Sequence, residues 1–291
     1  MKTIATINFK GGVGKTTVTW CLADILADYG KNAKVLVFDL DAQMSLTQAV
    51  TLNADTGALR SGFDEWYQNC KLKSKTIYDA LNKFSVTTPI GYFDFKVGYD
   101  FIYKLSDNLH FVPSVEELYW LELEAFDKQL TKEFIRKMLA KIETTKGMDK
   151  YDYVLFDCPP SFTLLSYSVL SVCDLVLIPV NPDFFAARGV SLLLNSLKNR
   201  MELNPIPKVG VFLNKAKTHG AGHTKDSEFY WNEVVKACKA AADEHGLDVK
   251  TFETKIPDRA DIKNAVTAHG VPAGLVQPFK DLWIEITQYI Q

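Results

Sequence analysis

Apolar residues fall along this chain in two alternating rhythms. Short unbroken apolar runs alternate with longer stretches in which apolar residues recur every three or four positions. The first run, 3–9, is rich in Ile and Thr and passes straight into a glycine-rich turn. Val18, Cys21, Leu22, Ile25, Leu26 and Tyr29 then recur at helical spacing, closed by Gly30. Val35, Leu36, Val37 and Phe38 form the next continuous run, ending in Asp39. A strand buried on both faces reads as unbroken apolar sequence, the mark of a parallel sheet.

The second half repeats the pattern. Leu130, Phe134, Ile135, Met138, Leu139 and Ile142 share one helical face. Further strands are predicted at 153–156, ending in Asp157, at 175–180, ending in Pro179-Val180-Asn181-Pro182, and at 209–213, followed by Asn214. Helices are expected over 190–197 and 227–245, a short edge strand at 249–252, and two closing helices around 258–269 and 279–290. Such alternation predicts an α/β fold, a doubly wound, mostly parallel sheet with helices on both faces. Residues 52–108 break the rhythm. Within 87–103, Tyr92, Phe93, Phe95, Tyr99, Phe101 and Tyr103 surround Gly91 and Gly98. This irregular insertion, around 85–105, reads as a hairpin or loop packed on the domain, or as a partner-binding surface.

Composition narrows the picture. A length of 291 residues suits one large α/β domain, 1–291, better than two small ones. With 33 basic and 35 acidic residues the net charge is −2, so any contact with a polyanion must come from a local basic patch. Cys21, Cys70, Cys158, Cys173 and Cys238 form no CxxC pair and match no zinc or iron–sulfur spacing, which suits reduced thiols in a cytosolic protein. The N-terminus has no signal-peptide layout, and no run of about 18 apolar residues could span a membrane.

The strongest chemical signal is Lys10-Gly11-Gly12-Val13-Gly14-Lys15-Thr16-Thr17, set between a strand and a helix. Glycines let successive backbone N–H groups turn toward phosphate oxygens, and the helix N-terminus adds positive partial charge. In such a loop Lys15 reaches the β- and γ-phosphates and the Thr16 hydroxyl binds Mg²⁺. Phe9 stands where the ordinary loop has glycine. Asp39 and Asp41, and Asp157 before Cys158-Pro159-Pro160, sit at strand ends where ligands of open α/β sheets bind. Carboxylates there can hold Mg²⁺ directly or through water.

These residues resemble the ParA/MinD deviant Walker ATPases, P-loop NTPases, over most of the chain. Residues 10–17 look like the deviant Walker A box. Asp39-Leu40-Asp41-Ala42-Gln43 looks like the D-x-D-P-Q box, with Ala42 for proline, and 154–161 looks like Walker B with its PP-S tail. Pro179-Val180-Asn181-Pro182-Asp183, Ile256-Pro257, Ala268-His269-Gly270, 76–81 and 108–113 resemble further landmarks, the later ones of the ParA branch. The resemblance implies an ATP hydrolase that uses ATP and Mg²⁺. Gly11, Gly12, Val13, Gly14, Lys15, Thr16 and Thr17 would cradle the nucleotide, with Asn214 and Pro257 at the base. Thr16, Asp39 and Asp157 would support the metal and Asp41 would orient the attacking water. Lys10 would cross an ATP-sandwich homodimer to the partner's phosphates, as an arginine finger does.

Four functional readings follow. An iron–sulfur reductase needs cluster cysteines in glycine-rich settings, which Cys70 and Cys173 lack. An inert nucleotide binder conflicts with the intact set of Lys10, Lys15, Asp39, Asp41 and Asp157. A MinD-like membrane ATPase needs a basic amphipathic C-terminal helix. The last segment has Leu282, Trp283, Ile286, Tyr289 and Ile290 at helical spacing, but Lys280 faces Asp281 and Glu285. The fourth is a ParA-type positioning ATPase whose dimer binds non-specific duplex DNA. Its candidate contacts are Lys198, Arg200 and Lys208, Lys215, Lys217 and Lys225, and Arg259 and Lys263. Since the chain starts at its first strand, no N-terminal helix-turn-helix is expected. The expectation is a cytoplasmic, nucleoid-associated ATPase that positions a plasmid, a chromosomal locus or a protein organelle such as a carboxysome. A ParB-like or adaptor protein on the cargo would stimulate hydrolysis, and no membrane contact is expected.

Overall fold

The computed structural model describes residues 1–30, 33–50, 67–68, 75–87, 101–121, 128–219, 222–259, 265 and 270–291. Its strands are β1 (Lys2–Thr6), β2 (Val35–Asp39), β3 (Tyr103–Lys104), β4 (Leu109–Val112), β5 (Tyr153–Asp157), β6 (Leu175–Val180), β7 (Lys208–Ala216), β8 (Thr218–His219), β9 (Gly222–His223) and β10 (Val249–Pro257). Its helices are α1 (Lys15–Asp24), α2 (Ser45–Val50), α3 (Ile77–Thr87), α4 (Lys128–Thr144), α5 (Leu164–Leu170), α6 (Ala186–Asn199), α7 (Lys225–His245) and α8 (Ala273–Ile290). Helix α1 continues as a π-helical turn, Ile25–Gly30.

Eight strands form one sheet in the order β10-β7-β6-β1-β5-β2-β4-β3. Each neighbouring pair is parallel except β3–β4. The chain winds outward from β1 through β2 and β4 on one side, and through β6, β7 and β10 on the other. Carboxyl ends of the central strands therefore border a crevice, the binding position of open α/β sheets. Helices α3 to α7 cover one face, burying Phe134, Leu165, Leu193 and Trp231 among others. Helices α1, α2 and α8 cover the other, with Trp20, Leu46 and Phe279 in that core. Central strands β2 and β6 are buried at every residue, which is why they read as unbroken apolar runs.

Local chemistry sets the helix ends. Thr163 accepts a bond from the Ser166 amide at the start of α5, and Thr224 does the same for Ser227 at the start of α7. Helix α7 stops at Gly246, whose φ of 64° is left-handed. Before α3, Thr76 Oγ1 donates to Asp79 at 2.6 Å and accepts from the Asp79 amide, a reciprocal cap.

Three expectations change. The first strand ends at Thr6, and Ile7 and Asn8 stay buried beyond it. The edge strand expected at 249–252 runs to Pro257. Edge residues Glu253, Thr254 and Lys255 are polar, so the apolar signal fades although pairing continues past two register shifts. Its outer amides are covered, since Glu253 N and Thr254 N each donate to the Glu285 carboxylate of α8 at 2.7 Å. Asp258 and Arg259 are not helical, and most of the helix expected over 258–269 lies outside the described residues. So does most of the aromatic insertion. Its end is described: Phe101 is buried, and Tyr103 opens the antiparallel edge strand β3.

Candidate nucleotide and metal site

The glycine turn leaves β1 and enters α1. Gly12 and Gly14 take φ of 74° and 91°, a region costly for residues with a Cβ. At Gly14 a Cβ would also lie 2.5 Å from Asn214 Nδ2. The end of β7 pins the loop. Asn214 Nδ2 donates to Val13 O at 2.7 Å, and Lys215 Nζ donates to Gly12 O at 2.6 Å. Helix α1 begins with no side-chain cap and no acidic residue in its first turn. Its leading N–H groups and positive end are thus left to an anionic ligand. Phe9, in place of the usual glycine, packs edge-to-face on Phe162 with centroids 4.7 Å apart, tying the loop to the segment after β5.

Beside the loop lie Lys15 and the carboxylates. Lys15 is buried, which lowers its pKa, while Asp157 and Asp41 pull it back up. Asp157 is 1% exposed, and neither carboxylate oxygen has a well-formed hydrogen bond. Burial first, then the nearby Asp39 charge, pushes its pKa well up; the Thr16 hydroxyl and Lys15 pull the other way. A buried carboxylate without well-formed hydrogen bonds is expensive. Its position beside a threonine hydroxyl fits a hard divalent cation. No cluster of three or more metal-ligating side chains exists among the described residues. The cation would thus complete its shell from phosphate and water, as Mg²⁺ commonly does.

Asp39 is also fully buried, but it is engaged. Its Oδ2 accepts from Thr47 N and Thr47 Oγ1, both at 2.7 Å, and its Oδ1 accepts from Asp41 N at 3.1 Å. Burial pushes its pKa up to about 7, against the pull of these bonds. Thr47 Oγ1 also accepts from Ser114 N at 2.9 Å, and Ser114 Oγ donates to Asp41 O at 2.8 Å. Asp39, Thr47, Ser114 and Asp41 form a closed ring. Asp41 projects from it between two clefts. One, of about 470 Å³, includes Gly11, Lys15, Thr16, Thr17, Asn214 and Lys215. The other, of about 420 Å³, includes Leu40, Leu118, Pro160 and Phe162. Pro257 lies opposite Ala216 in the sheet, two residues along β7 from Asn214.

Lys10 stands outside its own cleft. Its ammonium lies 2.5 Å from Asp183 Oδ2, and its amide donates to Asn8 Oδ1 at 2.9 Å. Asn8 Nδ2 in turn donates to Pro179 O at 2.9 Å. The other basic candidates do not form one patch. Strand β7 runs for nine residues from Lys208 to Ala216, about 26 Å at the usual rise per residue. Lys198, Arg200 and Lys208 lie near its start, whereas Lys215, Lys217 and Lys225 lie near its end. Lys208 Nζ is bound to Tyr289 O at 2.6 Å, and Lys215 to the loop. Lys198, Arg200, Lys217 and Lys225 are exposed. Arg259 lies against Gly274, where a Cβ would come within 2.6 Å of Nη1. Lys263 lies outside the described residues.

The apolar face of α8, with Leu275, Phe279, Leu282, Trp283, Ile286 and Ile290, is buried in the core. No described helix is long and apolar enough to cross a membrane. Sequence reading missed Thr47, Ser114 and Asn8 and gave Asp183 no role. Their importance lies in contacts between distant segments, for which the sequence carries no local signal.

The chain is similar to known proteins. The family model for an AAA domain matches residues 1–206. Chromosome-partitioning ATPase Soj of Treponema pallidum is 29% identical over 279 residues, covering 93% of this chain and 88% of Soj. A ParA family protein of Chlamydia trachomatis is 30% identical over 282 residues, covering 96% of this chain and 91% of its own. The ATP complex of an aspartate-to-alanine variant of Cyanothece McdA has the same fold, with a TM-score of 0.73 at 19% identity over 99% of this chain and 96% of that one. A phosphate loop, paired strand-end aspartates and full-length relatives point the same way, and the chain belongs to the ParA-like ATPase family.

Proposed function

We propose that this protein hydrolyses ATP with Mg²⁺ to drive a cycle of dimerisation on DNA that positions or segregates a cargo. The observation that carries the catalytic part is the buried Asp157, whose carboxylate oxygens lack a well-formed hydrogen bond, beside Thr16 and Lys15 at the uncapped start of α1. Magnesium, when bound with the nucleotide, supplies charge neutralisation at the phosphates. Thr16 and Asp157 hold it, Lys15 faces the β- and γ-phosphates, and Gly11 to Thr17 cradle them. The ring through Asp39, Thr47 and Ser114 sets the backbone of Asp41, whose carboxylate orients the attacking water. In this arrangement Asp39 supports the metal site from behind, since its oxygens are engaged by Thr47 and Asp41.

Lys10 supports the dimeric part. It lies at the rim, so its ammonium can reach the phosphates of a second copy across an ATP-sandwich interface. DNA contact is non-specific and uses exposed cations such as Lys217 and Lys225, doubled in the dimer. A cargo-bound partner stimulates hydrolysis and returns the protein to its unbound form.

Co-sedimentation with non-specific duplex DNA and with anionic liposomes, each with ATP or ADP, tests this reading. Retention on DNA with ATP alone, weakening steeply with salt, is the expected result. Retention on liposomes instead would move the protein to a membrane-bound cycle and overturn the DNA reading.

A further inference from the structure

A polar cluster lies at the other end of the sheet, where the strands begin. Strand β4 reads Leu-His-Phe-Val, and all four residues are buried. Leu109 and Phe111 belong to the core under α1, α2 and α8, so alternation turns His110 to the opposite face, with Val112 and Tyr151. An imidazole among apolar strand neighbours breaks the local pattern, and such breaks mark strain or function.

His110 is 1% exposed. Its Nδ1 lies 2.7 Å from the Tyr151 hydroxyl and 3.6 Å from Asp149 Oδ2, and the His110 and Tyr151 rings meet edge to face. Nε2 is buried with no hydrogen-bond partner. Asp149 is itself paired with Lys34 and lies 3.7 Å from Lys104. These groups come from four neighbouring strands: Lys104 from β3, His110 from β4, Lys34 from the entry to β2, and Asp149 and Tyr151 from the entry to β5. The bond between His110 and Tyr151 therefore spans β2. Asp107 is a further acid near the ring, while Lys150 is turned to the Ile142 and Glu143 carbonyls of α4.

The charge on the ring decides whether this cluster holds. A neutral imidazole shares one hydrogen bond with Tyr151 and leaves one uncharged nitrogen unpaired. An imidazolium would bury a charged N–H without an acceptor, facing two ammonium groups, with Asp149 already engaged. Burial holds the pKa of His110 below the ordinary 6.5; Asp149 pulls it up, and Lys34 and Lys104 push it down. The unfolded chain takes up this proton first as pH falls below 6.5, so the stabilisation is complete above that value and is lost below it.

We propose that this cluster is an acid-sensitive lock on the half of the sheet that leads to Asp39, Asp157 and Ser114. Neutral His110 ties β4 to the entry of β5 across β2. Its protonation frees β4, and with it Ser114, which holds the Asp41 carbonyl. The lock stands on its own contacts, and only its effect on turnover rests on the ATPase reading.

Hydrogen exchange of the full chain without nucleotide, at about pH 7.5 and about pH 5.5, tests the lock. Protection of β4 amides relative to β6 is expected to fall about tenfold on acidification in wild type, as one proton taken up on opening requires. It is expected to stay level in His110→Gln. Tyr151→Phe keeps the ring packing without the bond, and its β4 protection is expected to be low at both pH values. Equal loss in β4 and β6, the same loss in His110→Gln as in wild type, or full β4 protection in Tyr151→Phe overturns the proposal. Turnover is read over the same range, where wild-type kcat is expected to fall relative to His110→Gln. A constant ratio overturns the coupling to Asp41, and absence of any wild-type turnover overturns the ATPase reading alone.

Discussion

The ammonium of Lys10 is held 2.5 Å from the carboxylate of Asp183, joining the end of β1 to the segment after β6. Both side chains are partly exposed, at 43% and 31%, so the pair is screened and contributes at most about 1 kcal/mol. This lysine is restrained only weakly and can leave for a stronger electrostatic partner.

Lys10→Ala should therefore still bind nucleotide while failing to dimerise. Asp183→Asn should release the lysine and favour the ATP-dependent dimer, by no more than about fivefold. Light scattering across an ATP titration reads both. A dimer unchanged in Lys10→Ala would remove Lys10 from the interface.

Asp41→Ala should bind ATP and dimerise but lose turnover by about 100-fold or more. Phosphate release is the measurement, with fluorescent nucleotide binding as the control. Turnover near wild type would mean that another group orients the water.

Thr47 gives a finer test. Thr47→Val preserves shape but removes the hydroxyl shared by Asp39 and Ser114. It should lower kcat more than nucleotide affinity, and Thr47→Ser should restore much of the loss. If serine is as poor as valine, the methyl group matters and the hydroxyl ring does not. Thermal melts exclude simple unfolding, since an unmet buried donor can cost about 1–3 kcal/mol.

Acidity supplies another prediction. The pKa of Asp39 rises from an ordinary 3.8 to about 7 on folding, and burial pushes that of Asp157 up as well. Between roughly pH 4 and 7 the folded protein therefore holds protons that the unfolded chain has released. Their contribution to stability is full below that window and is lost as pH rises through it. Without nucleotide or metal, Asp157→Asn should gain melting temperature over wild type, and the gain should be larger at pH 8 than at pH 5. An equal gain at both pH values would show that Asp157 is not protonated in the folded state. The same variant should lose the Mg²⁺ dependence of nucleotide binding.

The parts legible in sequence were those with a local signature. Gly12, Gly14, Lys15 and Thr16 are neighbours in one motif, and Asp39 and Asp157 each end an apolar run. The sheet was legible because β2 and β6 are apolar throughout. Other features depend on folding. Thr47 and Ser114 are 67 positions apart, and neither is distinctive in its own stretch. The basic residues looked like neighbours because Lys208 and Lys215 are close in sequence, but an extended strand carries them to opposite ends of the sheet. Lys215 shows how little charge alone reveals, since its backbone conformation and its bond to Gly12 turn it inward.

The two sheet margins constrain how copies of this protein can meet. At one, β3 is a two-residue strand bearing Lys104; at the other, Glu285 occupies the outward amides of β10. An unprotected margin recruits further chains without regard to ligand, and leads to fibres or precipitates. With both blunted, encounters by backbone zippering are suppressed. On the function proposed above, assembly would fall to the crevice rim, where it could be made and undone with each turnover.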